Sequence, residues 1–120
     1  MAEGYDDITY STIYYLWRLV KNARGQMVTF KTTHITKRIG KSTPVMCSIV
    51  KYILNRLIER GCIKIWSVRR QSSRCGAIIR YVIYSDSPLW SLLKKADESE
   101  VKKLAREMMR HNFDVTKIKI

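Results

Sequence analysis

Acidic residues are nearly absent from the central part of this 120-residue chain. Residues 8–85 contain 15 Lys or Arg residues and a single acid, Glu59, whereas residues 1–7 carry a net charge of −3 and residues 86–120 one of +2. The formal net charge of the whole chain is +13. Solubility alone explains this excess of positive charge less well, because a mixture of positive and negative side chains would also keep the protein soluble. The charge distribution therefore favours a polyanionic partner, of which nucleic acid is the commonest inside cells.

Long apolar runs and paired cysteines are missing as well. No run approaches the ~18 apolar residues that span a membrane, and the acidic residues 1–7 are unlike a signal peptide. We therefore expect a cytoplasmic, nucleoid-associated protein without a membrane partner. The three cysteines, Cys47, Cys62 and Cys75, form no CxxC pair, which argues against a zinc site or a full disulfide framework. Reduced thiols are expected, with one bridge as the alternative if the source is a hyperthermophile.

Signals for catalysis or cofactor binding are weak. Residues 40–43 (GKST) match only the end of a phosphate-binding loop, because Ile35 occupies the position of that motif's first glycine. The two histidines, His34 and His111, do not lie at metal-ligand spacing from a cysteine. The sequence shows no Ser/His/Asp set and no carboxylate pair. We expect a protein that is not an enzyme and binds no cofactor, metal or small molecule.

The most informative pattern is a pair of helices joined by a short turn. Gly40 follows the last apolar residue of a short first helix, where glycine readily adopts a left-handed cap conformation. Thr43 and Pro44 are start signals for a second helix. Gly61 ends this helix, so that its last residue is residue 60. Such a pair is a helix-turn-helix motif.

The second helix, residues 44–60, has two different sides. With 100° per residue, its apolar residues fall in one arc that we expect to be buried. These residues are Met46, Ile49, Val50, Ile53, Leu54 and Leu57. The other side carries Ser48, Lys51, Tyr52, Asn55 and Glu59, with Cys47 and Arg56 flanking. This polar side is either solvated or used for recognition.

The remaining pattern predicts further helices and a hairpin. Helices are expected at residues 9–24, 88–96 and 98–110, and a short helix capped by Thr32 or Thr33 is expected to run to Ile39. Strands are expected at 26–30, 62–69 and 77–84, with a strand or frayed tail at 114–120. The last two strands form a hairpin with a basic tip. Strict alternation places Ile65 on one face and Trp66 and Val68 on the other. Because both faces carry apolar residues, we expect the outer face to be covered by the C-terminal segment or a partner.

This order of elements resembles the winged helix-turn-helix family across residues 8–84. The residues that carry the resemblance are Ile35, Ile39, Gly40, Ser42 and Val45, followed by Leu57, Gly61, Ile63 and Ile65. The long, basic chain is similar in style to archaeal, archaeal-virus or plasmid members. The resemblance implies an α+β fold in which residues 1–86 form a three-helix core with a β-hairpin wing. Residues 87–120 would then be a helical extension for dimerisation or for covering the wing.

The resemblance also implies a double-stranded DNA partner and a set of contact residues. Helix 44–60 would enter the major groove and the wing, residues 69–76, would contact phosphates or the minor groove. Groove candidates are Ser42, Thr43, Cys47, Ser48, Lys51, Tyr52 and Asn55. Backbone candidates are Lys31, Lys37, Arg38 and Lys41 near the turn, and Arg69, Arg70 and Arg74 in the wing.

Three functions follow from these expectations. The first is a homodimeric, sequence-specific DNA-binding protein that regulates transcription, with two half-sites providing specificity. The second is an architectural protein of chromatin, or of plasmid partition, that binds DNA with little sequence preference. The third is a protein-interaction winged helix in a transcription or replication complex, with Tyr52, Trp66 and Trp90 as anchors. RNA binding is a minor fourth option.

Overall fold

The structure is a computed structural model that describes residues 5–40, 43–69 and 78–108. Within these residues it contains five helices and one three-stranded antiparallel sheet. The elements in chain order are α1 (Tyr5–Lys21), β1 (Met27–Lys31), α2 (Thr32–Ile39), α3 (Pro44–Glu59), β2 (Lys64–Arg69), β3 (Ile78–Tyr84), α4 (Pro88–Lys95) and α5 (Glu98–Met108). The predicted α+β class is confirmed. The predictions for the hairpin tip and for residues 114–120 lie outside the described residues.

The ends of α2 and α3 follow the local signals in the sequence. Gly40 caps α2 with a φ of 92°, and its N–H donates to the carbonyls of Thr36 and Lys37. Gly61 has a φ of 74° and follows α3, where its N–H donates to the Ile58 carbonyl at 2.9 Å. A side chain at either glycine would be strained at such angles. The predicted end of α2 and both predicted boundaries of α3 are confirmed to within one residue. Helix α2 begins at Thr32 with Lys31 at the N-cap position, one or two residues before the predicted start.

The sheet has the strand order β1-β3-β2, so that the hairpin strand β3 lies in the middle. Phe30 of β1 pairs with Tyr81 of β3, and their rings stack at 5.4 Å between centroids. Both side chains are fully buried against the helices. This cross-strand aromatic pair fixes the register of β1 against β3.

A bulge in β2 corrects the predicted alternation of this strand. Ile65 pairs with Tyr81 and Val68 pairs with Ile79, with a register shift between Ile65 and Ser67. Because Tyr81 and Ile79 point to the same face, Ile65 and Val68 also share one face. The prediction that they lie on opposite faces is wrong, since the extra residue at the bulge inverts the alternation beyond it.

The edge strand β2 is exposed along its whole length. Ile65, Trp66 and Val68 each retain about half of their accessible surface, with Trp66 at 51%. The described residues therefore do not provide the predicted cover over this strand.

Helix α1 organises the C-terminal part of the described chain. It begins at Tyr5, before the predicted start near Thr9, because Ile8 extends the buried stripe by one turn. Helices α4 and α5 pack mainly against α1. Trp17 Nε1 donates a hydrogen bond to the Ala96 carbonyl at 3.0 Å, which links α1 to the end of α4.

The start of α4 is also linked to the turn before β2. The Ser87 hydroxyl accepts the Leu89 N–H at 3.2 Å and donates to the Cys62 carbonyl at 2.7 Å. The described apolar side chains of α4 and α5 are buried inside the protomer. A role of these helices in dimerisation stays a prediction. Among the described residues, no helix combines the length and apolar character needed to cross a membrane.

Candidate nucleic-acid interface

The first turn of α3 is formed by the cap that the sequence predicts. Thr43 has an extended backbone, and its hydroxyl oxygen accepts the N–H of Met46 at 3.2 Å. Pro44 occupies the first helical position, where a missing N–H costs nothing. Thr43 is exposed. Its hydroxyl hydrogen is not used by the cap and can still be donated to an external acceptor.

One side of α3 is buried and the other faces solvent. The buried residues are Met46, Cys47, Val50, Ile53, Leu54 and Leu57. Val45, Ser48, Tyr52 and Asn55 are exposed at spacings of three and four residues, so they lie along one side of the helix,. We call these four residues the α3 exposed row. Lys51 is half-buried beside it. The predicted candidates Ser48, Tyr52 and Asn55 thus lie together on an open surface.

The aromatic ring in this row is held by its neighbour one turn away. The Arg56 Nη1 donates to the Tyr52 hydroxyl at 3.3 Å, and the guanidinium carbon lies 5.9 Å from the ring centroid. Tyr52 remains 47% exposed. The contact limits the rotamers of Tyr52 and places a cation at the edge of the exposed row.

A second group of side chains lies where α2 meets the sheet. Lys31 at the end of β1 pairs with Arg80 of β3, and the Lys31 N–H donates to His34 Nδ1 at 3.3 Å. Lys37 follows one turn along α2. We call Lys31, His34, Lys37 and Arg80 the α2 basic patch.

The pKa of His34 reports the electrostatic character of this patch. Partial burial lowers the pKa of His34 below its usual 6.5, and the positive charges of Lys31, Arg80 and Lys37 lower it further. Each of these neighbouring charges is positive, so the local field opposes another cation. The same field attracts an anion such as a phosphate group.

Arg38 faces another part of the surface. Its charge acts on Tyr15 of α1, and together with Arg18 it lines an open groove of about 420 Å³ between α1, α2 and β1. Burial nevertheless raises the pKa of Tyr15 above 10.0. The structure therefore separates Arg38 from Lys31 and Lys37, with which it was grouped from the sequence.

Cys47 does not belong to the set of groove candidates. Its side chain is 1% exposed and disulfide-bonded, so it offers neither surface nor a thiol to a ligand. The expectation of reduced cysteines is therefore also wrong for Cys47, whereas Cys62 is buried and forms no disulfide. Cys47 lies at the flank of the apolar arc, where periodicity alone does not decide between burial and exposure.

The other predicted contact residues divide into two groups. Arg69 is exposed at the end of β2. Lys41, Ser42, Arg70 and Arg74 lie outside the described residues.

Arg80 and His34 were not among the predicted contacts. Alternation in β3 places Arg80 on the outer face, but its position next to Lys31 depends on a strand pairing that joins distant parts of the chain. The sequence signal that could have predicted part of this patch is His34, which lies three residues after β1 and one turn before Lys37.

The described residues contain no group of three or more His, Cys, Asp or Glu side chains arranged to hold a metal ion. Comparison of the chain with protein-family models, with curated proteins and with solved structures found no match.

Proposed function

We propose that this chain is a winged helix-turn-helix protein that binds double-stranded DNA at specific sequences and regulates transcription. In this arrangement α1, α2 and α3 form the helical core, and β2 and β3 are the strands of the wing. Helix α3 lies in the major groove and the wing contacts the neighbouring backbone or minor groove.

The observation that carries the proposal is the α3 exposed row in its electrostatic setting. Ser48, Tyr52 and Asn55 offer hydrogen-bond donors and acceptors on the solvent side of a helix whose opposite side is anchored in the core. Asn55 can pair with adenine, and Lys51 can donate to guanine. The single acid between residues 8 and 85, Glu59, is exposed at the C-terminal end of α3, one turn after Asn55. The N-terminal part of the exposed row therefore presents no negative charge to DNA.

Contacts to the DNA backbone come from a different set of residues. The α2 basic patch presents Lys31, Lys37 and Arg80 where α2 meets the sheet, and α2 itself packs against α3. Arg69 extends this positive surface along β2. Such contacts position α3 in the groove and contribute most of the salt dependence of binding.

An architectural role is the second candidate, and a particular observation favours it. Val45 is 70% exposed in the α3 exposed row and carries no hydrogen-bonding side chain, whereas the cations of the α2 basic patch lie off α3. A surface of this composition can hold DNA mainly through phosphates. The protein would then coat DNA with little sequence preference.

The exposed strand β2 supports a protein-interaction role as the third candidate. Ile65, Trp66 and Val68 give this edge strand an apolar character that phosphate contacts do not need. A partner protein that binds there would pair with the edge and cover Trp66.

Selection of bound fragments from random duplex DNA at two salt concentrations tests the three roles. Enrichment of a common motif at the higher salt supports a sequence-specific regulator, and two copies of the motif in one fragment support a dimer. Retention without enrichment, together with steep loss of binding at higher salt, supports the architectural role. Absence of retention at the lower salt contradicts DNA binding and leaves the protein-interaction role.

A further inference from the structure

The open groove between α1, α2 and β1, which we call the α1–α2 groove, has an apolar floor. Leu19, Ala23 and Val28 line it, are half-buried and pack against the hydrophobic core. Tyr15 also lines the groove, and its ring contacts Phe30 edge to face, at 6.5 Å between the ring centroids. The volume of the groove, about 420 Å³, falls within the range of about 300–1,000 Å³ that is typical of small-molecule sites,. The core therefore supports a surface of a size that suits a small ligand.

Two arginines from different helices line the same groove. Arg18 belongs to α1 and Arg38 to α2, and both side chains are exposed. Among the described residues, neither guanidinium group has a hydrogen-bond or ion-pair partner. None of the residues that line the groove is acidic. Two cations that share a groove without a carboxylate attract an anion to it.

Tyr15 adds a neutral hydrogen-bond donor to the lining of the groove. Burial raises the pKa of the Tyr15 hydroxyl above its usual 10.0, although the charge of Arg38 acts in the opposite direction. The hydroxyl is therefore protonated at neutral pH and can donate a hydrogen bond to an anion. The lining thus combines two cations and a hydroxyl donor with the apolar floor.

We propose that the α1–α2 groove binds an organic carboxylate that carries a short apolar or aromatic body. The planar guanidinium groups of Arg18 and Arg38 match the two oxygens of a carboxylate, and the body of the ligand covers the apolar floor. A small inorganic anion leaves this floor exposed to water. A neutral apolar molecule leaves both guanidinium groups without a partner. The proposal departs from the expectation, drawn from the sequence, that the chain binds no small molecule.

The α1–α2 groove is separate from the surface proposed to bind DNA. No residue of α3 lines the groove, and Arg38 faces away from the α2 basic patch. Binding of a carboxylate can therefore be measured without DNA. The outcome does not depend on whether the proposed function is correct.

Titration of the isotope-labelled, full-length protein with 3-phenylpropionate tests the proposal, with backbone amide chemical shifts as the measurement. The neutral analogue 3-phenylpropanamide has the same aromatic body without the charge. Acetate and inorganic phosphate have the charge without the body. We expect saturable changes centred on Leu19, Val28 and Arg38 at millimolar 3-phenylpropionate. Binding of each analogue should be weaker by about tenfold or more, since each lacks either the charge-assisted hydrogen bonds or the apolar contact.

Two charge variants and a matched control assign the binding to the groove. Arg18→Gln and Arg38→Gln each remove one groove cation, whereas Arg106→Gln removes an exposed cation of α5 that does not line the groove. We expect each groove variant to bind 3-phenylpropionate about tenfold more weakly, because a charge-assisted hydrogen bond is lost. The control should differ from the wild type by less than about twofold, because salt screens a distant exposed charge. Circular dichroism verifies that each variant is folded.

Several results would overturn the proposal. One is the absence of saturable changes at millimolar 3-phenylpropionate. Another is equal affinity for acetate or inorganic phosphate, which would show an adventitious anion attracted by net charge only. Equal weakening by Arg38→Gln and Arg106→Gln, or changes centred on α3 or α4, would place the ligand outside the groove. None of these results bears on DNA binding, so failure of this proposal and failure of the proposed function are distinguishable.

Discussion

Neutralising the α2 basic patch should reduce the salt dependence of DNA binding by a calculable amount. The perturbation is the triple substitution of Lys31, Lys37 and Arg80 by Gln, which removes three cations and leaves the α3 exposed row unchanged. If each cation contacts one phosphate, the slope of log K against log salt falls by about 0.9 for each contact, or ~2.7 in total. Between ~50 and ~200 mM salt, the wild type should lose about 40-fold more affinity than the variant.

A charge-matched variant serves as the control. Lys95 at the end of α4 and Lys102 and Lys103 on α5 are exposed, and their helices pack mainly against α1. Substitution of these three lysines by Gln removes the same net charge. We expect this control variant to change the slope of log K against log salt by less than about 0.9, the value for one phosphate contact.

The assay is the fluorescence anisotropy of a labelled duplex, titrated at several salt concentrations with each protein. Thermal unfolding of both variants verifies that they remain folded. Equal changes of slope in the patch variant and the control variant would refute the reasoning, because net charge alone would then determine affinity. An unchanged slope in the patch variant would show that Lys31, Lys37 and Arg80 do not contact phosphates.

Three further predictions concern single residues. The pKa of His34, followed by NMR, should rise when DNA binds, because the phosphates offset the positive charges around the imidazole. The affinity of the protein for DNA should therefore increase as the pH falls from ~7.5 to ~5.5. In the free protein the pKa of His34 is lowered, so folding favours the neutral imidazole. The resulting contribution to the free energy of unfolding is complete above pH ~6.5 and is lost as the pH falls through the pKa of the folded state. Thr43→Ala should cost about 1 kcal/mol of unfolding free energy in urea denaturation, because the N-cap of α3 is lost. Ser87→Ala should cost about 2 kcal/mol in the same assay, since it removes the α4 cap and the 2.7 Å hydrogen bond that the hydroxyl donates to the Cys62 carbonyl,. A loss below ~0.5 kcal/mol for either variant would contradict the role of these hydroxyls.

Local signals in the sequence predicted the helices that carry the candidate interface. Gly40, Thr43, Pro44 and Gly61 act within one turn of their own positions, through backbone angles and caps that depend little on the rest of the fold. The apolar arc of α3 follows from helix geometry alone. The end of α2, the boundaries of α3 and the exposure of Asn55 could therefore be predicted.

The features that the sequence did not reveal depend on contacts between distant segments. The bulge in β2 moves Val68 to the face of Ile65, and only the pairing with β3 determines where the extra residue lies,. The proximity of Arg80 to Lys31 arises from the pairing of β1 with β3. The burial of Cys47 depends on what packs against one flank of α3, which helical periodicity does not specify.

Binding of DNA through α3 is tested most directly by mapping backbone amide chemical shifts as the protein is titrated with duplex DNA. We expect the largest changes at Ser48, Tyr52 and Asn55 on α3, with smaller changes at Lys37 of α2 and at Arg69 of β2. Changes confined to α4 and α5, or no changes at low salt, would contradict it.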